Sequence, residues 1–404
     1  METNVSRLGQ GPGLAWKRNT SSFPPGSLAE LQEWTGGKTE PVGPSWPDDL
    51  VFTQWNTIGW AITDDGVLCI KPWKGSAGET GPVTSYYNGA PWSGHRSKIK
   101  KVESIGTIVL NENSQTLFYD CYNLTDLTGL AGWNVSNVTN MSGMFQSCSR
   151  LTDLTGLAGW NVSNVTNMSG MFYGCSNLYD LTALKEWDVS NVTDMDFMFR
   201  GCYRLTDLTA LKDWNVSNVT NMGSMFDGCS KLTDLTPLAG WNVSKVTNMS
   251  YSSSRTDLRG LKNWNVYNVT NMGGMFSGCS KLTDLTPLAG WNVSKVTNMS
   301  YMFQSCSRLT DLTALKNWKV SKVTNMGGMF SGCSSLQRIG IPSIANGGQN
   351  LVENAAATTL TTVLPNIISD DGSMGPYTWD DLYTEMTRNP DAFQDGTVWL
   401  KEVR

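Results

Sequence analysis

A 27-residue unit recurs eight times between Leu124 and Ser335, and it constrains the fold more than any other feature of the chain. Two adjacent copies read LTDLTGLAGWNVSNVTNMSGMFQSCSR and LTDLTGLAGWNVSNVTNMSGMFYGCSN. One tryptophan marks each copy, at Trp133, Trp160, Trp187, Trp214, Trp241, Trp264, Trp291 and Trp318. The tryptophans are 27 residues apart except for Trp241 and Trp264, which are 23 apart. A fixed period of this length is typical of stacked repeat arrays and not of an ordinary enzyme core.

Each repeat carries a regular set of apolar side chains. With the first leucine as position 1, they stand at positions 1, 4, 7, 10, 12, 15, 18, 21, 22 and 25 in copies such as 124–150. Burying this set does not by itself offset the conformational entropy lost when one repeat is ordered, so packing between stacked neighbours must supply the rest. We predict a repeat solenoid of the leucine-rich-repeat kind, flanked by non-repeat caps. Its short parallel strand is predicted at LTDLT and a helical or 3₁₀ return at VSNVTNMSGMF.

The chain divides into three parts by its repeat content. We expect a β-rich N-terminal cap region over 1–116, the repeat array over 117–344 and an α/β C-terminal cap region over 345–404. Terminal units that differ from the repeats are expected, because the open ends of an array need polar covers.

Local patterns predict several elements in the two cap regions. The runs LVFTQW, IGWAITDDGVLCIKPW and KIKKVESIGTIVL predict strands, with a hairpin turn at Asp64-Asp65-Gly66. The run TLFYDCYN, which ends at Asn123, has the pattern of the last part of a repeat. Near the C-terminus, Thr378 can cap a short helix at TWDDLYTEM, and GTVWLKEVR predicts a strand.

Threonine and aspartate form a second regular set near the start of each repeat. Aspartate occupies position 3 in all eight copies, and threonine flanks it in most. In a strand these side chains point away from the leucine face, so we expect them to form an exposed acidic row. The candidate ligand-facing residues are Thr125, Asp126, Thr152, Asp153, Asp180, Thr206, Asp207, Thr233, Asp234, Asp257, Thr283, Asp284, Thr310 and Asp311.

Carboxylates stacked at a strand spacing of ~4.8 Å repel one another, so this row needs compensation. Solvent and hydrogen bonds from the threonine hydroxyls provide the structural explanation. Calcium or a basic partner is the alternative. The GGxGxD pattern of calcium-binding rolls is absent from the chain, and we expect no cofactor.

Cysteines and asparagines also recur at fixed positions. Eight of the nine cysteines share one position: Cys121, Cys148, Cys175, Cys202, Cys229, Cys279, Cys306 and Cys333. Stacked repeats place such residues ~4.8 Å apart and pointing the same way, which does not suit a disulfide. We therefore expect buried free cysteines and no metal site, since CxxC pairs are absent. Asparagine at positions 11, 14 and 17 is expected to bond backbone groups of neighbouring turns.

The composition argues against several classes of function. The formal net charge is −5, which argues against the basic surface of a nucleic-acid-binding protein. No stretch approaches the ~18 apolar residues of a membrane span, so we expect no direct membrane insertion. The start, METNVSRLGQGPGLAWKRN, lacks the apolar segment of a signal peptide. His95 is the single histidine and is expected in a solvated loop, which argues against a histidine-based triad and excludes multi-histidine metal sites.

One repeat is short. The segment KVTNMSYSSSRTDL corresponds to KVTNMSYMFQSCSRLTDL two repeats later, so four residues are missing, among them a Met-Phe pair. A cysteine and the first leucine of the next unit are lost as well. Lost core side chains cost a few kcal/mol each, so we predict a local kink or loosened turn around Tyr251 to Thr256.

The segment WNVSNVTNMSGMFQSCSRLTDL resembles the BspA-like leucine-rich repeat family of bacterial surface proteins, whose repeat has the core DxSNVTxMxxMFxxCxxL. The resemblance covers roughly Lys100 to Ile344. It implies a right-handed leucine-rich solenoid and a role at the cell surface, such as adhesion to host proteins or other cells. Each unit here begins LxxLxxLxxW, whereas the standard leucine-rich pattern is LxxLxL.

Three functions compete. We expect a non-enzymatic recognition or adhesion protein, at the cell surface or secreted, that binds a host or cell-surface protein or a glycan by avidity along the array. The alternative is a receptor-binding protein associated with the tail of a bacteriophage virion. The third is a carbohydrate-active enzyme with a sugar platform formed by Trp16, Trp34, Trp46, Trp55, Trp60, Trp73 and Trp92. The sequence shows no nucleophile–base pair and leaves the oligomeric state open.

Overall fold

The computed structural model describes residues 5–7, 16–18, 44, 46–83, 89–251, 257–336, 339–340 and 397–398. The chain forms two compact units, Met1–Ser45 and Trp46–Arg404. In the first unit β1 (Val5–Arg7) pairs antiparallel with β2 (Trp16–Arg18). No helix within the described ranges has the length and apolar content to cross a bilayer.

The second unit begins with two small sheets, which contain the predicted strands. They comprise β3 (Thr53–Trp55), β4 (Ile58–Ile62), β5 (Val67–Pro72), β6 (Ala77–Glu79), β7 (Lys101–Ser104) and β8 (Thr107–Val109). One sheet has the order β3-β4-β5-β7, with β4 and β5 antiparallel and β5 and β7 parallel, and the other pairs β6 with β8 in parallel. The β4–β5 hairpin turns at Gly66, whose φ of +96° few other residues tolerate. His95 ends the 3₁₀ helix Ser93–His95 and is exposed.

The sheet region leads directly into the repeats. Lys101 forms a parallel bridge with Asp126, and Val109 forms one with Asn134. The strands β7 and β8 therefore stack against repeat 1 in the place of a preceding repeat. The predicted partial repeat before Leu124 is present. Phe118 donates its backbone N–H to the carbonyl of Met144 at 2.8 Å, and its ring stacks on Phe145 at 5.3 Å.

Every repeat contains one short 3₁₀ helix at positions 5 to 7. The helices are Thr128–Leu130, Thr155–Leu157, Thr182–Leu184, Thr209–Leu211, Thr236–Leu238, Arg259–Leu261, Thr286–Leu288 and Thr313–Leu315. They repeat every 27 residues except across the short repeat. The predicted combination of a 3₁₀ segment and parallel pairing is therefore present in each repeat.

The predicted location of the strand within the repeat was wrong. Parallel pairing lies in the second half, where single bridges link position 17 of consecutive repeats from Asn113 to Asn325. From there, backbone N–H groups of one repeat donate to carbonyls of the next, as Met141 does to Asn167 and Phe145 to Met171. The segment LTDLT instead leads into the 3₁₀ helix, and its aspartate forms a turn in which the carboxylate accepts the first N–H of that helix.

The second half of the repeat is a series of tight turns. Met144 donates to the carbonyl of Met141 and Cys148 to that of Phe145, which explains the apolar spacing of three that suggested a helical return. Position 20 has a positive φ in all eight repeats, for example 59° at Gly143 and 58° at Phe197. This left-handed residue interrupts the turns and prevents a continuous 3₁₀ helix.

The apolar positions form columns of like side chains along the array. Phenylalanine rings of adjacent repeats stack at 5.3 to 5.8 Å, from Phe118 to Phe226 and again from Phe276 to Phe330. Seven tryptophans donate their indole N–H to a leucine carbonyl of the preceding repeat at 3.0 to 3.1 Å. The core is thus built between repeats, as expected for an array whose single units do not fold alone.

The cysteines are buried and free, as predicted. In six repeats the thiol lies 3.1 to 3.3 Å from a phenylalanine carbonyl oxygen of the preceding repeat. Burial raises the pKa of the Cys121 thiol to about 12 and raises that of Cys148 well above its usual value. These thiols behave as small core side chains with one weak donor.

The asparagine columns bond the backbone. At position 14, Asn164 donates its side-chain N–H to the carbonyl of Ser136 in the preceding repeat at 2.7 Å. At position 17, the Asn140 side-chain oxygen accepts the backbone N–H of Ser142 at 2.9 Å. At position 11, Asn134 likewise accepts the backbone N–H of Ser136. The structural role expected for asparagine is confirmed, although two of the three columns bond their own turn.

Some predictions fall outside the described residues. They are the loosened turn, of which 252–256 is not described, and the short helix capped by Thr378. Of the predicted C-terminal strand the structure describes β10 (Thr397–Val398), which pairs antiparallel with β9 (Ile339–Gly340).

Candidate functional site

The Thr/Asp row lies on the outside of the array. Exposed members are Thr125, Thr206, Asp207, Thr233, Asp234, Thr283 and Asp284, and half-buried members are Asp126, Thr152, Asp153, Asp180, Asp257, Thr310 and Asp311. Because none of these side chains is buried, the row is available for contact with a ligand.

Each carboxylate in the row already has a partner within its own repeat. All eight accept the backbone N–H of the residue two positions later, at 2.7 to 3.2 Å, and so begin the 3₁₀ helix. In six repeats the hydroxyl of the following threonine also donates to the carboxylate. The Thr209 hydroxyl, together with the Thr209 N–H, lowers the pKa of Asp207 below its usual value. The main role of these aspartates is therefore to hold the local turn, and contact with a ligand is a secondary role.

These bonds also explain how stacked carboxylates tolerate one another. Donors fixed at each Asp stabilise the negative charge, and exposure to water screens the repulsion between repeats. Within the described part of the chain, no group of three or more His, Cys, Asp or Glu residues could hold a metal ion.

A groove crosses the row between repeats 3 and 4. Its volume is about 260 Å³. The polar side chains that line it are Tyr179, Asp180, Thr182, Lys185, Asp207, Thr209 and Lys212. Tyr179 stands where most repeats have threonine, and the two lysines stand where repeats 1 and 2 have alanine. The groove therefore combines an aromatic ring with donors and acceptors, which no sequence argument about a uniform row had predicted.

Aromatic and arginine side chains continue from the groove across repeats 2 to 4. The Arg204 guanidinium lies 5.5 Å from the ring centre of Tyr179, and the adjacent Tyr203 is 55% exposed. We call Tyr173, Tyr179, Phe197, Arg200, Tyr203 and Arg204 the repeat-3 patch. The patch was not among the residues predicted from the sequence, although the replacement of serine, threonine and glycine by aromatic residues in repeat 3 was its signal.

Arg200 organises one side of the patch. Its guanidinium lies 5.6 Å from the Tyr173 ring centre and 5.3 Å from that of Phe197. Its Nε atom pairs with the Asp227 carboxylate at 3.0 Å. Held by two rings and one carboxylate, the arginine presents a fixed cationic surface.

Two further carboxylates lie behind the patch. Asp194 and Asp196 replace the asparagine and serine of the repeat pattern. Burial, and then the charge of Asp194, raises the pKa of Asp196 to about 6, while the nearby Arg200 opposes the shift.

The tryptophans of the proposed sugar platform mostly form the core of the sheet region. Trp92 is buried and donates to the carbonyl of Leu117 at 2.9 Å. It contacts Trp55 and Trp60 edge to face, at 5.4 and 6.1 Å between ring centres. Trp73 is exposed, Trp34 lies outside the described residues, and of Trp16 the structure describes only the backbone. Rings packed against one another in this way do not form a flat platform.

Comparison with known proteins places the repeats in a family. A family described as "Mycoplasma protein of unknown function, DUF285" matches residues 107–183, 179–257 and 251–341. A solved structure of a leucine rich cell surface protein from Faecalibacterium prausnitzii A2-165 is 15% identical, with a TM-score of 0.22, and the match covers 72% of this chain and 94% of that one. No curated protein matches. The family matches together span more than half of the chain, which therefore belongs to the DUF285 family of BspA-like repeats.

Proposed function

We propose that the protein is a non-catalytic recognition protein, at the cell surface or secreted, whose leucine-rich-repeat solenoid binds a protein or glycan. The Thr/Asp row provides a repeated polar face, and the groove with the repeat-3 patch provides the principal contact. One observation carries the proposal: a groove of about 260 Å³ crosses the row where Tyr179 replaces the usual threonine and Lys185 and Lys212 replace alanine.

The distribution of substitutions within repeat 3 supports this assignment. Its buried positions keep the residues of the array, for example Leu178, Met198 and Phe199. Its departures fall on side chains that are not buried, among them Tyr179 and Tyr203. Packing confines such departures to exposed positions but does not select aromatic side chains there, and exposed tyrosine and arginine are the residues that most often dominate binding free energy.

The row itself can add avidity. Threonine hydroxyls recur at each stacking step, so a ligand with a repeating structure can contact several at once. Because the carboxylates are occupied by local hydrogen bonds, we assign them the role of holding this face in shape.

A catalytic role and a virion role have less support. The chemistry of the groove is that of recognition, since its carboxylates are held by backbone N–H groups and its lysines pair with adjacent acids, Lys185 with Glu186 at 3.2 Å and Lys212 with Asp213 at 3.8 Å. The family match adds nothing in favour of the bacteriophage alternative.

The test is a screen of glycans and extracellular proteins with the full chain and a variant that carries Tyr179→Thr and Tyr203→Ser. Both replacements are residues that other repeats have at those positions, so the variant should fold. We expect binding of any ligand found to weaken by tenfold or more, since a central tyrosine contributes about 2 kcal/mol.

Two controls sharpen this screen. Tyr267→Ser removes an exposed tyrosine from another part of the repeat and should leave binding unchanged. A variant with all eight row aspartates changed to Asn keeps the hydrogen-bond acceptors and removes the charges. Full binding by the Tyr179/Tyr203 variant would refute the assigned site, and turnover of a bound ligand would refute the non-catalytic role.

A further inference from the structure

A second surface of the array, formed by the segments that follow the 3₁₀ helices, carries charge of one sign. It comprises positions 8 to 14 of repeats 5 to 8, residues 239–245, 262–268, 289–295 and 316–322. These segments contain six lysines and no acidic residue. We call Lys245, Lys262, Lys295, Lys316, Lys319 and Lys322 the lysine face. The corresponding segments of repeats 1 to 4 contain two lysines and three acidic residues.

The short repeat does not interrupt this face. Across it, the indole N–H of Trp264 still donates to the carbonyl of Leu238 at 3.1 Å, and Asn268 donates to the carbonyl of Ser244 at 2.7 Å. These are the bonds that hold the same positions together in the full-length repeats. The four segments are therefore stacked in order, and across the short repeat the Trp241 and Trp264 ring centres lie 6.5 Å apart.

Two of the lysines are held in place by the array. Lys245 Nζ donates to Asn218 Oδ1 at 2.6 Å, and Lys295 Nζ donates to Asn268 Oδ1 at 2.8 Å. Lys295 Nζ also lies 4.0 Å from the ring centre of Tyr267. In other repeats position 14 is an asparagine that donates to a backbone carbonyl of the preceding repeat. A lysine at this position lacks that hydrogen bond and places an ordered positive charge there instead.

The ion pairs found among the described residues involve none of the six lysines. Five of the six are exposed and Lys295 is half-buried. Like charges at adjacent stacking steps repel one another, and a bound anion would relieve that repulsion.

From this arrangement we propose that the lysine face binds a linear polyanion, a polymer with a phosphate or carboxylate group in each unit, laid along repeats 5 to 8. Lysine is a compact point charge that suits either anion without fixed geometry. Each of repeats 5 to 8 carries at least one of these lysines, so such a polymer can make several simultaneous contacts. The overall charge of −5 conceals the site, because the acidic residues are concentrated elsewhere in the chain.

Other occupants fit the face less well. A second copy of the chain would offer the corresponding face of repeats 1 to 4, where Glu186 and Asp213 already pair with adjacent lysines. Single-stranded nucleic acid gains affinity from bases stacked on aromatic rings. The exposed ring within these segments, Tyr267, is already in contact with Lys295. The proposal is independent of the groove in repeats 3 and 4.

The experiment measures binding of inorganic polyphosphate and of polygalacturonate to the full chain by isothermal titration at several salt concentrations, with neutral dextran as a blank. The variant carries Lys245→Asn, Lys295→Asn and Lys322→Asn, which restores the asparagine that other repeats have at position 14. We expect affinity for at least one polymer to fall by tenfold or more. For polyphosphate, the slope of log K against log salt should decrease by about 2, because three contacts are removed. The two polymers distinguish a phosphate from a carboxylate source.

The matched control removes three exposed basic residues from position 27, with Lys231→Asn, Lys281→Asn and Arg308→Asn. It has the same net charge as the first variant and should retain affinity within about twofold. Thermal unfolding verifies that both variants are folded. Equal losses in the two variants would overturn the proposal, as would absence of polymer binding at low salt or tighter binding of single-stranded DNA than of either polymer.

Discussion

At the scale of single residues, the aspartate of each repeat shows how one side chain determines local structure. A carboxylate at position 3 accepts the N–H that begins the 3₁₀ helix two residues later, as Asp207 does for Thr209 at 2.8 Å. The sequence allowed the exposed row to be predicted, because alternation of apolar and polar residues places Asp outside. The sequence did not reveal the hydrogen bond from this carboxylate to the 3₁₀ helix, since the same pattern is typical of a strand.

This hydrogen bond predicts the effect of removing one carboxylate. Asp207→Ala should destabilise the array by about 1 kcal/mol because the Thr209 N–H loses its side-chain acceptor, and Asp207→Asn by less because the amide oxygen still accepts. Urea unfolding measures both. The neighbouring Thr206→Ala on the same face should change stability by less than about 0.5 kcal/mol. A loss of the same size for Thr206→Ala would mean that the stability lost does not come from the hydrogen bond between Asp207 and Thr209.

Two aspartates of repeat 3 have pKa values shifted in opposite directions. Burial raises the pKa of Asp196 to about 6, and bonds from Ser190 lower that of Asp188. An unfolded aspartate titrates near ~3.9. The ionised Asp196 therefore opposes folding as pH rises from about 4 to about 6, whereas Asp188 contributes stability above about pH 4 and loses it as pH falls further.

Other repeats have serine at the position of Asp196 and asparagine at the position of Asp188, and these residues are used as the replacements. Asp196→Ser should raise the melting temperature at pH 7.5 and have a smaller effect at pH 4.5. Asp188→Asn should lower it slightly at pH 7.5, and the difference should vanish near pH 3. Melting curves across this range test both variants. The same pH dependence in the two would show that overall charge, and not the local surroundings of each carboxylate, controls stability.

At the scale of the repeat, the sequence was sufficient to predict the buried side chains but not the conformation of the backbone. The ten apolar positions predicted the buried columns because burial depends on spacing and side-chain type. The parallel pairing was placed in the wrong half because a spacing of three fits both a 3₁₀ helix and a series of tight turns. The deciding feature is the left-handed residue at position 20, which is glycine at Gly143 and phenylalanine at Phe197 and so has no single sequence signal.

The repeat-3 patch was predictable in part. Residues 27 apart lie next to each other in the stack, so Arg200 can be paired with Asp227 from numbering alone. The contact of Phe197 with the same arginine depends on the left-handed turn, because φ of 58° directs the side chain outward. The sequence therefore indicated which repeat is unusual, and the structure determined which side chains meet.

At the scale of the whole molecule, stability depends on contacts between neighbouring repeats. In an array each repeat touches only its neighbours, so one weak junction limits cooperativity. The phenylalanine column is broken at the short repeat, between Phe226 and Phe276. A cavity of about 30 Å³ lies at this junction, lined by both rings and by Met225 and Met275. The tryptophan and asparagine bonds continue past it, so the junction is weakened on its core side only.

Restoring the missing residues should therefore strengthen the whole array. In the variant, Tyr251–Arg255 is replaced by YMFQSCSRL, the sequence of Tyr301–Leu309. The added Met, Phe, Cys and Leu re-form their columns, and filling a core site of this size adds about 2 kcal/mol or more. We expect the natural chain to unfold in urea in two steps, repeats 6 to 8 separately from repeats 1 to 5, and the variant in one step at higher urea. A control with Ser at the four apolar positions restores length without packing and should keep two steps. If the control behaves like the variant, chain length across the junction, and not the core, is what couples the two halves.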